Sequence, residues 1–456
     1  MNAYIKVPVV PRTLLAIALL VAPATLRAQS APASGQPIGL QDAIAIALRQ
    51  NVTVKQSENA VASSNATVDS KQNAFLPSLA LTTSTARTVG RSGGNAFGGA
   101  SSTAQSLNTG LSSSLVVFDG MRNVNELRGA RLDVAASSGD LARAKQTAAF
   151  TVANDYLTLA TAQGQLAVQK QNLAAQEAQQ TQLEKLVKAG ARSISDLYQQ
   201  QATTESARAG VVSAERDAEL ARIAIIQTLQ LDPSGRYDFV APTVADASSV
   251  PHYELDSLLA RAFASRSDLT AGQTRVDAAT VGTKAASASR LPTVSLSTSY
   301  NASYNSGLAS ALGSQLDQNR GGSVSLGVSI PLFDKGATST AVQQARIQED
   351  NARLALANQR QTVALDVRRA YLGLETSRQQ LAVAVAQQKA ADLAVSTTQA
   401  RYQVGTSTLL ELTQARASQL QAATAVVTAR NALAFQNALM PYYTGELDPA
   451  KALLAS

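Results

Sequence analysis

The side chains that usually carry covalent chemistry are nearly missing from this chain. Its 456 residues include no cysteine, no tryptophan and a single histidine, His252. Without cysteine there is no thiol nucleophile, thiolate metal site, disulfide or lipidated N-terminal cysteine. His252 lies in a proline-flanked connector, Val250-Pro251-His252-Tyr253, with Glu254 and Asp256 the carboxylates nearest it in sequence and no second histidine or cysteine to join them. A metal site or a Ser-His-Asp array has little to build on there. No phosphate loop of the Gly-x4-Gly-Lys-Ser/Thr form occurs. The sequence therefore reads as a non-enzyme with no metal and no cofactor.

Two carboxylates do recur in one pattern. Asp196 closes Ser193-x-x-Asp196, and Glu411 closes Thr408-x-x-Glu411. A hydroxyl residue followed three positions later by an acid is a capping box that starts a helix. Gly190 and Gly405 stand three residues before each box, where a helix takes its left-handed C-terminal residue. The pattern describes two helical hairpin tips, Leu186–Leu197 and Tyr402–Leu412, 215 residues apart.

The elements that position these tips repeat at the same offset. Leu40 pairs with Leu255, Pro77 with Pro292, Phe118-Asp119 with Phe333-Asp334, Val152 with Val367, and Tyr156 with Tyr371. One offset held across helices, turns and strands marks a tandem duplication of a whole architecture. The division expected from it is a first repeat over 40–231, a connector or collar over 232–252, a second repeat over 253–440 and a tail over 441–456.

Residues 1–28 read as a secretory signal, with Lys6 and Arg12 ahead of the apolar run Leu14–Ala22; an uncleaved anchor is the alternative. A flexible leader is expected over 29–39. The net charge of +7 falls to +4 without Lys6, Arg12 and Arg27, and the remaining charges are scattered as on solvated helix faces. That distribution argues against a nucleic-acid partner.

Helical periodicity runs from Leu40 to about Ala74 and again from Leu255 to about Arg290. Strands follow, about 76–91 and 108–118 in the first repeat and about 291–304 and 323–333 in the second. Val294, Leu296, Thr298 and Tyr300 alternate with Thr293, Ser295, Ser297 and Ser299. Apolar residues alternating with small polar ones suit a strand between lipid and a wet lumen. Gly/Ser/Asn-rich loops, about 92–109 and 305–322, join each pair.

Four strands cannot close a lipid-spanning barrel, the smallest having about eight. They need partners from other chains, and three copies would supply twelve. Proline-free stretches of roughly 121–188 and 336–403 read as single helices, each on the order of 100 Å long. The tips at about 188–193 and 403–408 turn them into return helices of about 193–230 and 408–438.

Over essentially its whole mature length the chain resembles the TolC-like outer membrane efflux proteins. The resemblance rests on the opening Leu40-x-x-Ala43-Ile44-x-x-Ala47-Leu48-x-x-Asn51, the Leu-Pro at each first strand, Phe118-Asp119-Gly120, and the Tyr402-x-x-Gly405-Thr406 tip. It implies a mainly α fold with a membrane β-barrel part: a homotrimer with a twelve-stranded outer-membrane barrel and a periplasmic α-helical tunnel. It further implies a periplasmic adaptor, docked at tips formed by Gly190, Ala191, Arg192, Gly405 and Thr406, and an inner-membrane pump of the RND or ABC type. An acidic constriction ring of the family falls on Glu411 and Gln414, of which only the first is an acid. An arginine that ties the closed coils in some members falls on Ser407, so that latch is missing here. Tyr402, Ser195 and Asp196 match the rest of that network, which leaves a Tyr402–Asp196 hydrogen bond as the expected tie. Glu411 and Asp196 also fit a purely capping role. The function implied is a passive export duct; a periplasmic adaptor with long helical hairpins is the alternative from another class.

Overall fold

The computed structural model describes residues 37–91, 101–240, 251–308 and 310–449. The expected signal and the first part of the leader lie outside the described residues, as do 92–100, 241–250 and 450–456.

The first repeat opens with β1 (Pro37–Ile38), α1 (Leu40–Gln50) and α2 (Val52–Asn73). It continues through β2 (Ser78–Arg91) and β3 (Ser101–Phe118) into α3 (Arg122–Lys188) and α4 (Ile194–Thr228). The connector contributes β4 (Asp238–Phe239). The second repeat runs α5 (Leu255–Ser265), α6 (Ser267–Ser287), β5 (Thr293–Asn305), α7 (Leu312–Gln318) and β6 (Arg320–Ser329). It ends in α8 (Ala337–Gln403) and α9 (Leu409–Ala438), and α10 (Met440–Thr444) is the last element among the described residues.

Three expectations from sequence are corrected. The helical stretch from Leu40 is two helices, because Asn51 leaves the helix and its Oδ1 accepts the N–H groups of Thr53 at 2.9 Å and Val54 at 3.4 Å. Such a side chain caps a new helix rather than extending the old one. The second repeat breaks at Arg266, 215 residues later. The end of the leader is pinned: β1 pairs in parallel with β4, and Ile38 is buried. The second hairpin loop is built rather than merely polar. In α7 Gln315 is buried and its side chain exchanges hydrogen bonds with the main chain of Asn305, at 2.9 and 3.1 Å.

α3 and α8 are each 67 residues without a break, about 100 Å of helix. Alanine, glutamine and leucine fill them, residues that lose little rotamer freedom in a helix. Among the described residues, no helix is long and apolar enough to cross a membrane. α3 packs on α4, α6 and α9, and α8 packs on α6 and α9. One core gathers α1, α3, α4 and the β1–β4 pair around Tyr156, whose hydroxyl donates to the Ile38 carbonyl at 2.8 Å. A second gathers α5, α8 and α9 around Val367 and Leu374.

β2, β3, β5 and β6 form one antiparallel sheet in that order. Register fixes its faces, since side chains alternate strictly. Leu81 faces Leu111, Leu111 faces Tyr300, and Leu296 faces Leu326, so these share one face. Ser112 faces Ser299 and Ser297 faces Ser325 on the other. There Ser297 and Ser325 hydroxyls lie 2.8 Å apart, and those of Ser299 and Ser323 3.0 Å apart.

Candidate functional site

The two hairpin tips come together and share a small core. Leu183, Tyr402, Leu409 and Leu412 are buried in it, with Val187 and Leu197 packed alongside. Each tip is made the same way. Gly190 has φ +74° and Gly405 φ +79°, a region that costs other residues about 1–2 kcal/mol. Ala191 N–H then reaches back to the Leu186 carbonyl at 2.8 Å, and Thr406 N–H to the Arg401 carbonyl at 2.9 Å. These bonds satisfy carbonyls that a helix end leaves free. Gly190, Ala191, Gly405 and Thr406 are all exposed, as a docking surface requires.

The return helices start from unlike caps. Thr408 Oγ1 accepts the Glu411 N–H at 3.2 Å, the first half of a capping box. The second half is not made, because the Glu411 carboxylate instead accepts the hydroxyl of Ser407. Ser407 is buried, while Glu411 and Gln414, one turn apart on α9, are exposed. In the first tip Ser193 Oγ accepts the Ser195 N–H at 3.1 Å, so Ser193 caps without help from Asp196. Ser195 is exposed and Asp196 half-buried.

The expected Tyr402–Asp196 hydrogen bond is not formed. Tyr402 is only 4% exposed, yet its hydroxyl has no hydrogen-bond partner among the described residues. Burial raises the pKa of that hydroxyl and nearby Asp196 adds to the effect, while Arg192 opposes it. The contact that does join the tips involves Arg192. Its Nη2 donates to the Tyr402 carbonyl at 2.6 Å, and its guanidinium lies 4.4 Å from the centre of the Tyr402 ring. A guanidinium at this range is attracted to the negative ring face. Sequence had placed Arg192 on the docking surface and missed this contact. The duplication carried a signal for it, since Arg192 lies 215 residues before Ser407 and so occupies the matching place in the first tip.

The hairpin walls are rich in amides. Gln200 and Gln176 are buried between α3 and α4, with Nε2 to Oε1 at 2.9 Å. Arg416 is held by the side-chain carbonyls of Gln179 at 3.2 Å and Gln399 at 3.4 Å, and burial lowers its pKa. A cleft of about 680 Å³ opens beside α3, α8 and α9, lined by Gln165, Gln380, Gln387, Gln421 and Thr428 among others. Among the described residues no group of His, Cys, Asp and Glu is arranged to hold a metal ion. The arrangement offers exposed tips and a polar wall.

The sequence profile of the outer membrane efflux proteins matches residues 43–229 and 258–440, one segment in each repeat. The outer membrane efflux protein BepC of Brucella suis is 25% identical over 307 residues, covering 67% of this chain and 65% of BepC, just under two thirds of its length. Protein CyaE of Bordetella pertussis is 26% identical over 383 residues, covering 79% of this chain and 76% of CyaE. The crystal structure of CusC, described as forming a transmembrane channel, superposes with a TM-score of 0.78 at 18% identity, covering 92% of this chain and 95% of CusC. That likeness is one of fold.

Proposed function

Because the chain belongs to the outer membrane efflux protein family, we propose that it is the outer membrane duct of a tripartite efflux or type I secretion system. Three copies close a twelve-stranded barrel in the outer membrane, and their long helices form a tunnel in the periplasm. The duct is passive. Energy comes from an inner-membrane pump of the RND or ABC type, reached through a periplasmic adaptor that docks at the exposed tips.

The observation that carries this reading is the two-faced sheet with two open edges. Leu79, Leu81, Val324 and Leu326 are between 67% and 75% exposed on one face. A soluble protein does not leave such a face in water. Hydrocarbon outside and a serine-lined lumen inside satisfy both faces, and closure satisfies the edges. In that assembly Glu411 and Gln414 line the inner mouth, where an acidic ring attracts cations. Tyr402, Ser407, Ser195 and Asp196, with Arg192, form the closed-state network.

The test is single-channel conductance of the purified protein in a planar bilayer. The expected result is small steps that a multivalent cation on the helical side blocks, with block weakened in Glu411→Gln. Unchanged block in that variant would leave Glu411 a helix cap only. A folded protein that needs no detergent and conducts nothing would overturn the duct and favour a periplasmic adaptor.

A further inference from the structure

The apolar face of the sheet continues past the ends of its strands. On that face Phe118 faces Val294, and Val294 faces Val328. The alternation of Val324, Leu326 and Val328 runs on beyond β6 into Ile330 and Leu332, which are 56% and 95% exposed. Leu76, Met121, Leu291 and Phe333 stand beside the same strand ends and are exposed as well. So much bare apolar surface at one level marks an interaction site.

A cation follows at three of these strand ends. Arg122 is four residues beyond Phe118, Arg290 four residues before Val294, and Lys335 three residues beyond Leu332. All three are exposed. Arg122 and Arg290 lie on segments that touch, since a Cβ on Gly120 would come within 2.7 Å of Leu291 Cβ. The acids beside them are already engaged. Asp119 accepts the Asn123 N–H at 2.8 Å, and Asp334 accepts those of Gly336 at 3.0 Å and Thr338 at 2.8 Å, so both carboxylates cap helix starts. Glu126 pairs with Lys71 at 2.7 Å and stands 3.8 Å from Arg122. Arg290 and Lys335 have no ion-pair partner among the described residues. One exposed acid, Asp69, stands a turn inside α2.

We propose that this rim of the sheet, on the side of the long helices, is a binding site for anionic phospholipid. Such a lipid offers its parts in the order the rim does, acyl chains first and then a headgroup layer about 5–8 Å thick. One phosphate is held by Arg122 and Arg290, whose guanidinium forks match its oxygens, and another by Lys335. The acyl chains lie along Met121 and Leu291 at the first place and along Ile330 and Leu332 at the second. A headgroup with a negative phosphate and no amine leaves these cations neutralised, whereas a zwitterionic one brings a second positive charge. The proposal rests on the membrane duct described above and adds which lipid its rim selects.

The test adds phosphatidylglycerol or phosphatidylcholine of identical acyl chains to the full-length protein in neutral detergent. Native mass spectrometry counts the bound lipid, and thermal unfolding follows the same titration. Phosphatidylglycerol is expected to bind at least about tenfold more tightly and to raise the unfolding temperature. Each of Arg122→Gln, Arg290→Gln and Lys335→Gln should weaken it about fivefold, the worth of one cation near an anionic surface. The control combines Lys185→Gln, Lys188→Gln and Lys389→Gln, three exposed cations far along the helices, and should change nothing. Equal binding of the two lipids, or an equal loss in the control, would overturn the proposal. So would an equal rise in unfolding temperature with inorganic phosphate, because the acyl contact would then play no part. A protein that conducts in phosphatidylcholine bilayers yet shows no lipid preference would lose this site and keep the duct. A protein that stays in solution without detergent and joins vesicles of neither lipid would lose both.

Discussion

The two repeats bend the chain at the same place by unlike chemistry. In the first, Asn51 caps α2 with its own side chain. In the second, Arg266 occupies that position, is 5% exposed, and forks onto Asp268 with Nε and Nη2 at 3.0 and 2.6 Å. Arg143 of the first repeat stands 4.0 Å from the same carboxylate and donates to the Tyr442 carbonyl at 2.9 Å. The C-terminal turn fits over this site closely enough that a Cβ on Gly445 would lie 2.7 Å from Arg266 Cα. The duplication thus kept the backbone and exchanged the side chains. The first bend caps its own helix and reaches the end of α4 by one long hydrogen bond, from Asn51 Nδ2 to the Thr228 carbonyl at 3.5 Å, while the second fastens α3, α6 and the C-terminal turn together.

The largest expected effect tests that difference. Arg266→Ala leaves Asp268 largely buried without its fork, and removing one partner of a buried pair costs about 3–5 kcal/mol. Asn51→Ala loses one cap, about 1 kcal/mol. Thermal unfolding of the detergent-solubilised protein measures both, and equal losses would break the comparison.

The entries to the long helices sharpen it. Both pass through two left-handed residues, Gly120-Met121 in the first repeat and Lys335-Gly336 in the second. Only the first is crowded: a Cβ on Gly120 would lie 2.7 Å from the Ala288 carbonyl, while one on Gly336 would have its nearest neighbour at 3.6 Å. Gly120→Ala is expected to cost about 3 kcal/mol, combining left-handed strain with overpacking. Gly336→Ala should cost only the strain, about 1 kcal/mol. The same unfolding measurement checks the pair.

Much of this was legible in the sequence, and what was not has physical causes. The tip glycines announced themselves because few residues adopt positive φ, and the strand faces because period-two alternation is strict. The bends at Asn51 and Arg266 were hidden because Leu40, Ala43, Ile44, Ala47 and Leu48 set a helical rhythm whose interruption depends on one capping side chain. β1 was invisible because two residues carry no period. The Arg192–Tyr402 contact joins positions 210 residues apart, and an arginine on a hairpin tip reads as solvated until the tips are seen to meet.

A smaller effect follows from acid. Glu349 accepts the hydroxyls of Thr283 at 2.9 Å and Thr280 at 3.0 Å and is paired with Arg353. The Thr283 hydrogen bond heads the causes that hold its carboxyl below the usual range. Burial pushes Asp268 the other way, but Arg266 and Arg143 prevail and its carboxyl is also held low. A depressed carboxylate contributes stability above its unfolded pKa and loses it as pH falls through the folded value. The first repeat has Val134 and Thr53 at these positions. Hydrogen exchange below about pH 4 should therefore rise in α6 and α8 before α2 and α3, and Glu349→Gln should flatten the acid limb. Simultaneous loosening of both repeats would count against this difference.

The smallest effect on stability concerns the tips, where one supplies the cation and the other the ring. Arg192→Gln should change unfolding by less than about 1 kcal/mol, because a half-exposed guanidinium gains little from its partners. Its expected signature is kinetic: more time open in single-channel records, since the hydrogen bond from Arg192 to the Tyr402 carbonyl is lost. Tyr402→Phe should be neutral or slightly stabilising, because it removes a buried hydroxyl that has no partner among the described residues. The decisive variant moves the cation, combining Arg192→Ser with Ser407→Arg. If the tips were interchangeable, the swap would restore the closed fraction. Ser407 is buried and bonded to Glu411, however, so an arginine there would meet the Glu411 carboxylate one turn away before it could reach a ring on the other tip. The swap is expected to leave the channel as open as Arg192→Gln does, because the first tip carries Val187 at the position of Tyr402 and the ring that the tie needs stays on the second tip.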